Sequence, residues 1–226
     1  MEIGGVAIEV VRKDIKSLRL RVLPQGGHVR LSVPRRVDAE TLRRFVTARL
    51  DWIRRERARF AAQAGESELE LISGEMHLVQ GRRCRLEVTE RAGPASVRLA
   101  KNGTLLMSVR PGTSGARRAA LLGQWYKELL RAELPQLIAR WEARIGVKVV
   151  EWRIKKMTTR WGTCNPRAQR IWLNLELAKR PAACLEFIVV HEMVHMLERL
   201  HNARFRGLMD RFLPKWRQRH EELNQA

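Results

Sequence analysis

Apolar and polar residues alternate in two early stretches of the chain. Leu18, Leu20 and Val22 alternate with Arg19 and Arg21, and Val29, Leu31 and Val33 alternate with Arg30 and Ser32. Between them lies Pro24-Gln25-Gly26-Gly27-His28, so the pattern predicts a β-hairpin with one apolar face. Asp38 predicts a helix N-cap, followed by Leu42, Phe45, Val46, Leu50 and Ile53 at helical spacing, as far as about Ala62. The polar face of that helix carries Arg43, Arg44, Arg54, Arg55, Arg57 and Arg59. Such a face can dock phosphates, although a charged helix face is more often simply solvated.

An acidic joint at residues 65–70 leads to a second β region. Cys84, Leu86 and Val88 alternate, then Val97 and Leu99, and Asn102-Gly103 gives a strong hairpin signal before Leu105, Met107 and Val109. From about Ser114 the spacing turns helical, through Leu121, Leu122, Trp125 and Leu129 to Ile138, Trp141 and Ile145. Pro135 should kink or divide this helix and Gly146 should end it. Trp152–Met157 reads as a strand. Ile171, Leu173, Leu175 and Leu177 alternate with Trp172, Asn174 and Glu176 in a clearer one, expected at a sheet edge. Pro181 opens a helix that is apolar nearly all round and therefore buried. That helix nonetheless carries His191, Glu192 and His195.

The fold class expected is α+β. A carboxy-terminal domain over 113–226, an antiparallel-edged sheet plus the histidine-bearing helix, follows a β-rich amino-terminal region over 1–112 with its Arg-rich helix. At 226 residues and 45% hydrophobic content, the chain can build such a core. The net charge of +20 and pI near 11.4 change the picture. Residues 1–65 carry 15 Lys/Arg against 7 Asp/Glu, and residues 148–226 carry 16 against 8, so there is no basic tail. Such a surface attracts polyanions, which makes non-specific nucleic acid a second candidate partner, unless the arginines are only solvated. The sparse, odd set Cys84, Cys164 and Cys184 argues for a reducing compartment. With neither a signal core nor an apolar run long enough to span a membrane, a cytoplasmic location is expected. Composition leaves the oligomeric state open.

The chemistry concentrates in His191-Glu192-Met193-Val194-His195. Residues four apart on a helix lie about 40° apart in azimuth and about 6 Å apart along the axis, so His191 and His195 can converge on one ion. Neutral imidazoles suit Zn²⁺, which lowers the pKa of water to about 7. Glu192, about 100° round from His191, is badly placed as a ligand but well placed to take a proton from water and pass it to a leaving group. The third ligand needs the helix to stop. On a continued helix His201 would face away, so a break between Met196 and Leu200 is required. No Gly or Pro marks that end, but Asn202 can cap a new helix carrying Phe205, Leu208, Met209 and Phe212. Glu198 is the rival ligand. His201 is preferred because Glu198 follows too soon to leave the helix. His28, His77 and His220 are not expected to be ligands.

These residues resemble a known family. The run Met157-Thr158-Thr159-Arg160-Trp161-Gly162-Thr163-Cys164, the segment Leu173-Asn174-Leu175, the histidine motif through His201, and Phe205, Leu213-Pro214 and Trp216 are similar to the corresponding segments of YgjP-like metallopeptidases. His201-Asn202-Ala203-Arg204-Phe205 is more distantly similar to the His-x-x-x-Phe ending of SprT-like and WLM-type DNA-associated metalloproteases. The resemblance implies a minimal zincin fold, with His191, His195 and His201 as zinc ligands and Glu192 as general base and acid. Metzincins share the histidine spacing but place a glycine where this chain has Glu198.

The function expected is that of a zinc metalloendopeptidase acting on peptide or protein substrates. An extended substrate would add to the strand at 171–177 beside Asn174. Arg160 is a candidate oxyanion stabiliser, with a structural arginine as the plainer alternative. A metal-dependent nucleoside triphosphate hydrolase would suit the basic surface, but no phosphate-cradling glycine loop is present. A DNA-associated protein with a structural zinc would need Cys164 or Glu198 as fourth ligand.

Overall fold

The structure, a computed structural model, describes residues 1–23, 27–67 and 70–224, and the side chains of these except 59–67 and 224. The turn at Pro24–Gly26, the Arg59 side chain and part of the acidic joint therefore lie outside the described residues. The chain divides into two units, Met1–Leu69 and Glu70–Ala226.

In the first unit, β1 (Glu2–Ile3), β2 (Val6–Lys13), β3 (Arg19–Val22) and β4 (Val29–Pro34) form one sheet in the order β1-β2-β4-β3. The expected hairpin is β3–β4, antiparallel, with Leu20 opposite Leu31 and Val22 opposite Val29. β2 adds to β4 in parallel. The predicted helix is two helices, α1 (Ala39–Thr47) and α2 (Leu50–Ser67). Asp38 caps the first by accepting from the Thr41 N–H at 2.7 Å. Val6, Ile8, Val22, Val29, Leu31, Val33, Leu42, Val46 and Ile53 close this unit's core.

In the second unit, β5 (Met76–Val79), β6 (Arg82–Glu90), β7 (Ser96–Leu99) and β8 (Leu105–Val109) form a sheet in the order β5-β6-β8-β7. Gly103, at φ 84°, turns the β7–β8 hairpin. The expected domain boundary at 112/113 is replaced by one at 69/70. The reason is packing: Leu86, Leu105 and Met107 of this sheet share a core with Leu122, Tyr126 and Leu130 of α3 (Gly115–Ile145). The Tyr126 hydroxyl also donates to the Leu78 carbonyl at 2.7 Å. Pro135 does not divide α3. It lies on the exposed face, where the carbonyl it deprives of a partner, that of exposed Arg131, is open to water. Gly146, at φ 77°, ends the helix as its left-handed cap.

Three strands follow: β9 (Glu151–Lys155), β10 (Gly162–Asn165) and β11 (Arg170–Asn174). Their order is β10-β11-β9, with β11 antiparallel to β10 and parallel to β9. The strand expected at the edge is therefore the middle one. Ile171 and Leu173 are fully buried, and β11 is paired on both sides. From Leu175 the chain turns into a 3-10 helix, Leu175–Lys179, capped by Asn174. The edges belong to β10 and β9. α4 (Ala182–Val194) packs against β10, β11 and α3. It is buried at Cys184, Leu185, Phe187 to Val190 and Glu192 to Val194. α5 (Ala203–Phe212) and α6 (Trp216–Asn224) cover it. The Glu186 carboxylate ties α4 to α3 by accepting from the Trp141 indole at 3.0 Å and from Arg140. The chain is thus α+β and zincin-like, with an antiparallel-edged sheet beside the histidine-bearing helix. No helix among the described residues is long and apolar enough to cross a membrane.

Candidate metal centre

The helix stops before His201, as convergence of the histidines requires, but just short of the expected break between Met196 and Leu200. α4 ends at Val194 with His195 as its C-cap. Met196 N–H then donates to Met193 O at 3.0 Å and Leu197 N–H to Val194 O at 2.9 Å, a tightening to i→i+3 bonds. Residues 195–202 all have negative φ, which is why neither glycine nor proline marks the break. Asn202 opens α5 by accepting from Phe205 N–H at 3.0 Å. Between the helices the chain doubles back and brings His201 to the other two.

The result is a triangle of ring nitrogens. Nε2 of His195 lies 3.2 Å from that of His191 and 3.0 Å from that of His201, and the His201–His191 pair is 3.0 Å apart. Three tetrahedral ligands to one ion at about 2.0–2.1 Å stand at comparable separations. The His195 tautomer supports this reading. Its Nδ1 faces the Glu198 carbonyl at 2.9 Å, and a carbonyl can only accept. The proton therefore sits on Nδ1, and the bare Nε2 lone pair points at two further nitrogens. Three such donors repel one another unless a cation lies among them. Burial, followed by the charges of His195, His201 and His220, pushes His191 down to about 3, and burial also lowers His195. Both are neutral at physiological pH, the form a metal requires. His191 Nδ1 is itself buried without a hydrogen-bond partner among the described residues.

No fourth protein donor among the described residues joins them. Among the described residues the only cluster able to hold an ion is His191, His195 and His201. Glu198, the rival ligand, turns its carboxylate into the connecting loop and accepts from Leu200 N–H at 3.1 Å. Cys164 lies near Glu192 instead, and burial, with that carboxylate's charge second, pushes its thiol up to about 12.

Glu192 is 5% exposed. Burial raises its carboxyl to about 8, and the nearby charge of Arg160 pulls the other way. Arg160 is exposed and stands on the loop that leads into β10. Asn174, expected to meet substrate, does something else. It is buried, and its amide nitrogen donates to Met157 O at 2.9 Å and Arg160 O at 2.8 Å. Its oxygen accepts from Met157 N–H at 3.2 Å and Glu176 N–H at 3.3 Å. The side chain is fully committed to holding the 156–161 loop as it crosses from β9 over the end of β11 to β10. Asn174 thus positions the 156–161 loop, and the outer strand that this loop leads into is β10.

Two residues absent from the expected set complete the site. Phe205, 2% exposed, lies with its ring centroid 5.0, 4.6 and 4.7 Å from those of His191, His195 and His201. Its spacing of four from His201 was the available signal. Gly162 lies against the Glu192 side chain. His28 and His77 are not part of the centre, and His220 acts on His191 as a neighbouring charge.

No curated protein matches the sequence. Among solved structures, the metallopeptidase zymogen of Methanocaldococcus jannaschii jannalysin is similar at 13% identity, over 41% of this chain and 95% of that one, with a TM-score of 0.37. The family described as YgjP-like, metallopeptidase domain, matches residues 16–226. The match runs from the first hairpin to the carboxyl end, and the chain belongs to the YgjP-like metallopeptidase family.

Proposed function

We propose that the protein is a zinc-dependent endopeptidase in which Glu192 is the general base. The observation that carries this reading is the triangle of three histidines beside a buried carboxylate, with no fourth protein donor among the described residues. A closed structural site would have four protein ligands, whereas a hydrolytic one leaves a position for water and substrate. His191, His195 and His201 would hold the ion, and an all-imidazole set favours Zn²⁺ over Mg²⁺ or Ca²⁺. When bound, zinc would supply a Lewis acid that acidifies water, polarises the scissile carbonyl and favours the ionised form of Glu192.

The chain's own residues do the rest. Glu192 takes the proton of the attacking water and delivers it to the departing amine. β10, the edge strand alongside, offers main-chain hydrogen bonds that hold an extended peptide in register. Asn174 fixes the loop that carries Arg160, whose guanidinium is free to meet the oxygen on which negative charge develops.

The test is zinc-loaded protein against casein and a mixed peptide library, beside the Glu192→Gln variant. Wild type is expected to cleave internal peptide bonds. The variant is expected to keep its zinc, measured by elemental analysis, and to lose activity by at least about 10³-fold. Full activity in Glu192→Gln would sink the assignment. Glu192-dependent phosphate release from nucleotides, with no peptide cleaved, would replace it with a phosphoanhydride hydrolase.

A further inference from the structure

The two loops that border the histidine triangle are strongly one-sided in charge. Over 156–161 the ionisable residues are Lys156 and Arg160, and over 196–206, apart from His201, they are Glu198, Arg199, Arg204 and Arg206. That is five cations and one carboxylate, and all five cations are exposed. Glu198 is already engaged by the loop backbone at Leu200. Neighbouring Lys155 is excluded from the group, because its ammonium lies over the Trp172 ring at 3.3 Å on the strands of the sheet.

Three of these cations have interactions that tie them to the site. Arg206 donates to the carbonyl of His201 at 3.0 Å. Arg160 lies within electrostatic reach of the Glu192 carboxylate. Arg204 acts on Glu198, whose carbonyl accepts from His195. Interleaved with them, Leu197 and Leu200 are 36% and 68% exposed, an unusual exposure for leucines in a loop only eight residues from helix end to helix start.

We propose that this rim selects acidic polypeptide segments, with aspartate or glutamate flanking an apolar residue near the scissile bond. The proposal rests on the peptidase reading and narrows its substrate class. Arginine binds carboxylates in a planar, two-pronged geometry and is less strongly hydrated than lysine, so it suits repeated docking and release of acidic side chains. The exposed leucines and the β10 edge favour a polypeptide over a nucleotide. A phosphate chain has neither an apolar side chain to offer Leu200 nor main-chain groups to pair with a strand. Rim charges also steer encounter, so the preference should weaken as salt screens it.

The experiment uses three peptides with one apolar centre, flanked by Asp/Glu, by Asn/Gln, or by Lys. Zinc-loaded wild type is expected to show kcat/KM roughly tenfold or more higher for the acidic peptide than for the neutral one at low salt, with the ratio collapsing at about 0.5 M salt. Arg199→Glu with Arg204→Glu is expected to bring the ratio close to one, with zinc content as the check on folding. Equal kcat/KM for acidic and neutral peptides overturns the proposal, as does a ratio the double variant leaves unmoved. Should no peptide be cleaved, the peptidase reading itself falls. Anisotropy of labelled peptides on zinc-loaded Glu192→Gln protein still decides recognition: tighter binding of the acidic peptide supports the rim, and equal binding overturns it. Displacement of that peptide by a single-stranded oligonucleotide of equal charge, at matched affinity, overturns the choice of polypeptide.

Discussion

A Cβ on Gly162 would stand 2.6 Å from Glu192 Oε1, 2.8 Å from its Cγ and 3.0 Å from its Cδ. The first residue of the edge strand is thus a glycine because the Glu192 side chain occupies the space a Cβ would need. The same contact sets the distance between the strand proposed to hold substrate and the carboxylate proposed to attack through water. Two elements far apart in sequence are gauged against each other by one missing methyl group.

Gly162→Ala should therefore act on geometry rather than on backbone strain, since this glycine is not among those with positive φ. Glu192 is buried on α4 and has little room to retreat. Displacement of a reacting group by about 1 Å can cost on the order of 10²-fold in rate. We expect kcat to fall by about that factor while zinc stoichiometry stays the same. An alanine variant with wild-type kcat would show that the carboxylate finds an equally good position.

Phe205 is the floor of the triangle, and its truncation should be felt twice. Phe205→Ala removes a ring in contact with all three imidazoles, at a cost of about 3–5 kcal/mol in stability by cavity formation. It also lets the histidines drift apart, which should weaken zinc binding by roughly 10–100-fold. Phe205→Leu separates the effects, restoring much of the thermal midpoint without all of the affinity. Competition with a chelator of known zinc affinity reads the second effect. Equal recovery of both by leucine would mean the ring serves only as volume.

Much of this centre was legible in the sequence because it is local. The i, i+4 histidines, the Asp38, Asn202 and Gly146 caps and the Asn102-Gly103 turn depend on residues a few positions apart. So does the need for a helix stop before His201, although the device is a tightened last turn without glycine. What was not legible depends on pairing at a distance. β11 reads as an edge strand in its alternation, and only its parallel pairing with β9 moves it to the middle. The same crossover explains Asn174: the chain must pass the end of β11 to reach β10, and a buried amide holds that passage. The second β region shares its core with α3, so the domain boundary lies upstream of it, where no strong composition signal stands. β2 carried its alternation in Val6, Ile8 and Val10, but its partner lies across a hairpin and a parallel register.

The metal-free chain should report the Glu192 environment through pH. In the fold this carboxyl is raised from 4.5 to about 8 by burial, so between those values it holds a proton that the unfolded chain lacks. Folding stability from this group is therefore full at low pH and lost as pH rises towards 8. His191, lowered from 6.5 to about 3, has the opposite sign: its contribution is present above 6.5 and lost as pH falls. His195, also lowered, adds to the second effect. Between 6.5 and 8 only the Glu192 effect remains among these three, and chelator-treated protein should lose stability there. Glu192→Gln should remove that decline, and Glu133, also raised by burial, cancels in the comparison. Urea midpoints at several pH values would show it. An identical decline in both chains would place the titrating group elsewhere.

Asn174 gives the sharpest distinction between holding a loop and holding a substrate. Asn174→Ala removes the partner of two carbonyls and two N–H groups at this crossing, at about 1–3 kcal/mol for each group left without water or a partner. Asn174→Asp keeps the acceptor for Met157 and Glu176 but turns negative oxygen towards the carbonyls of Met157 and Arg160, so it should be no better than alanine. A substrate-binding asparagine would instead show raised KM with an unchanged thermal midpoint. We expect the reverse order: a lowered midpoint and faster amide exchange confined to 157–161, with lost catalysis following because Arg160 and Gly162 are no longer held in place. Zinc affinity should stay close to wild type, since His191, His195 and His201 are carried by α4 and the loop that follows it. A KM effect without any change in exchange over 157–161 would return Asn174 to the substrate groove.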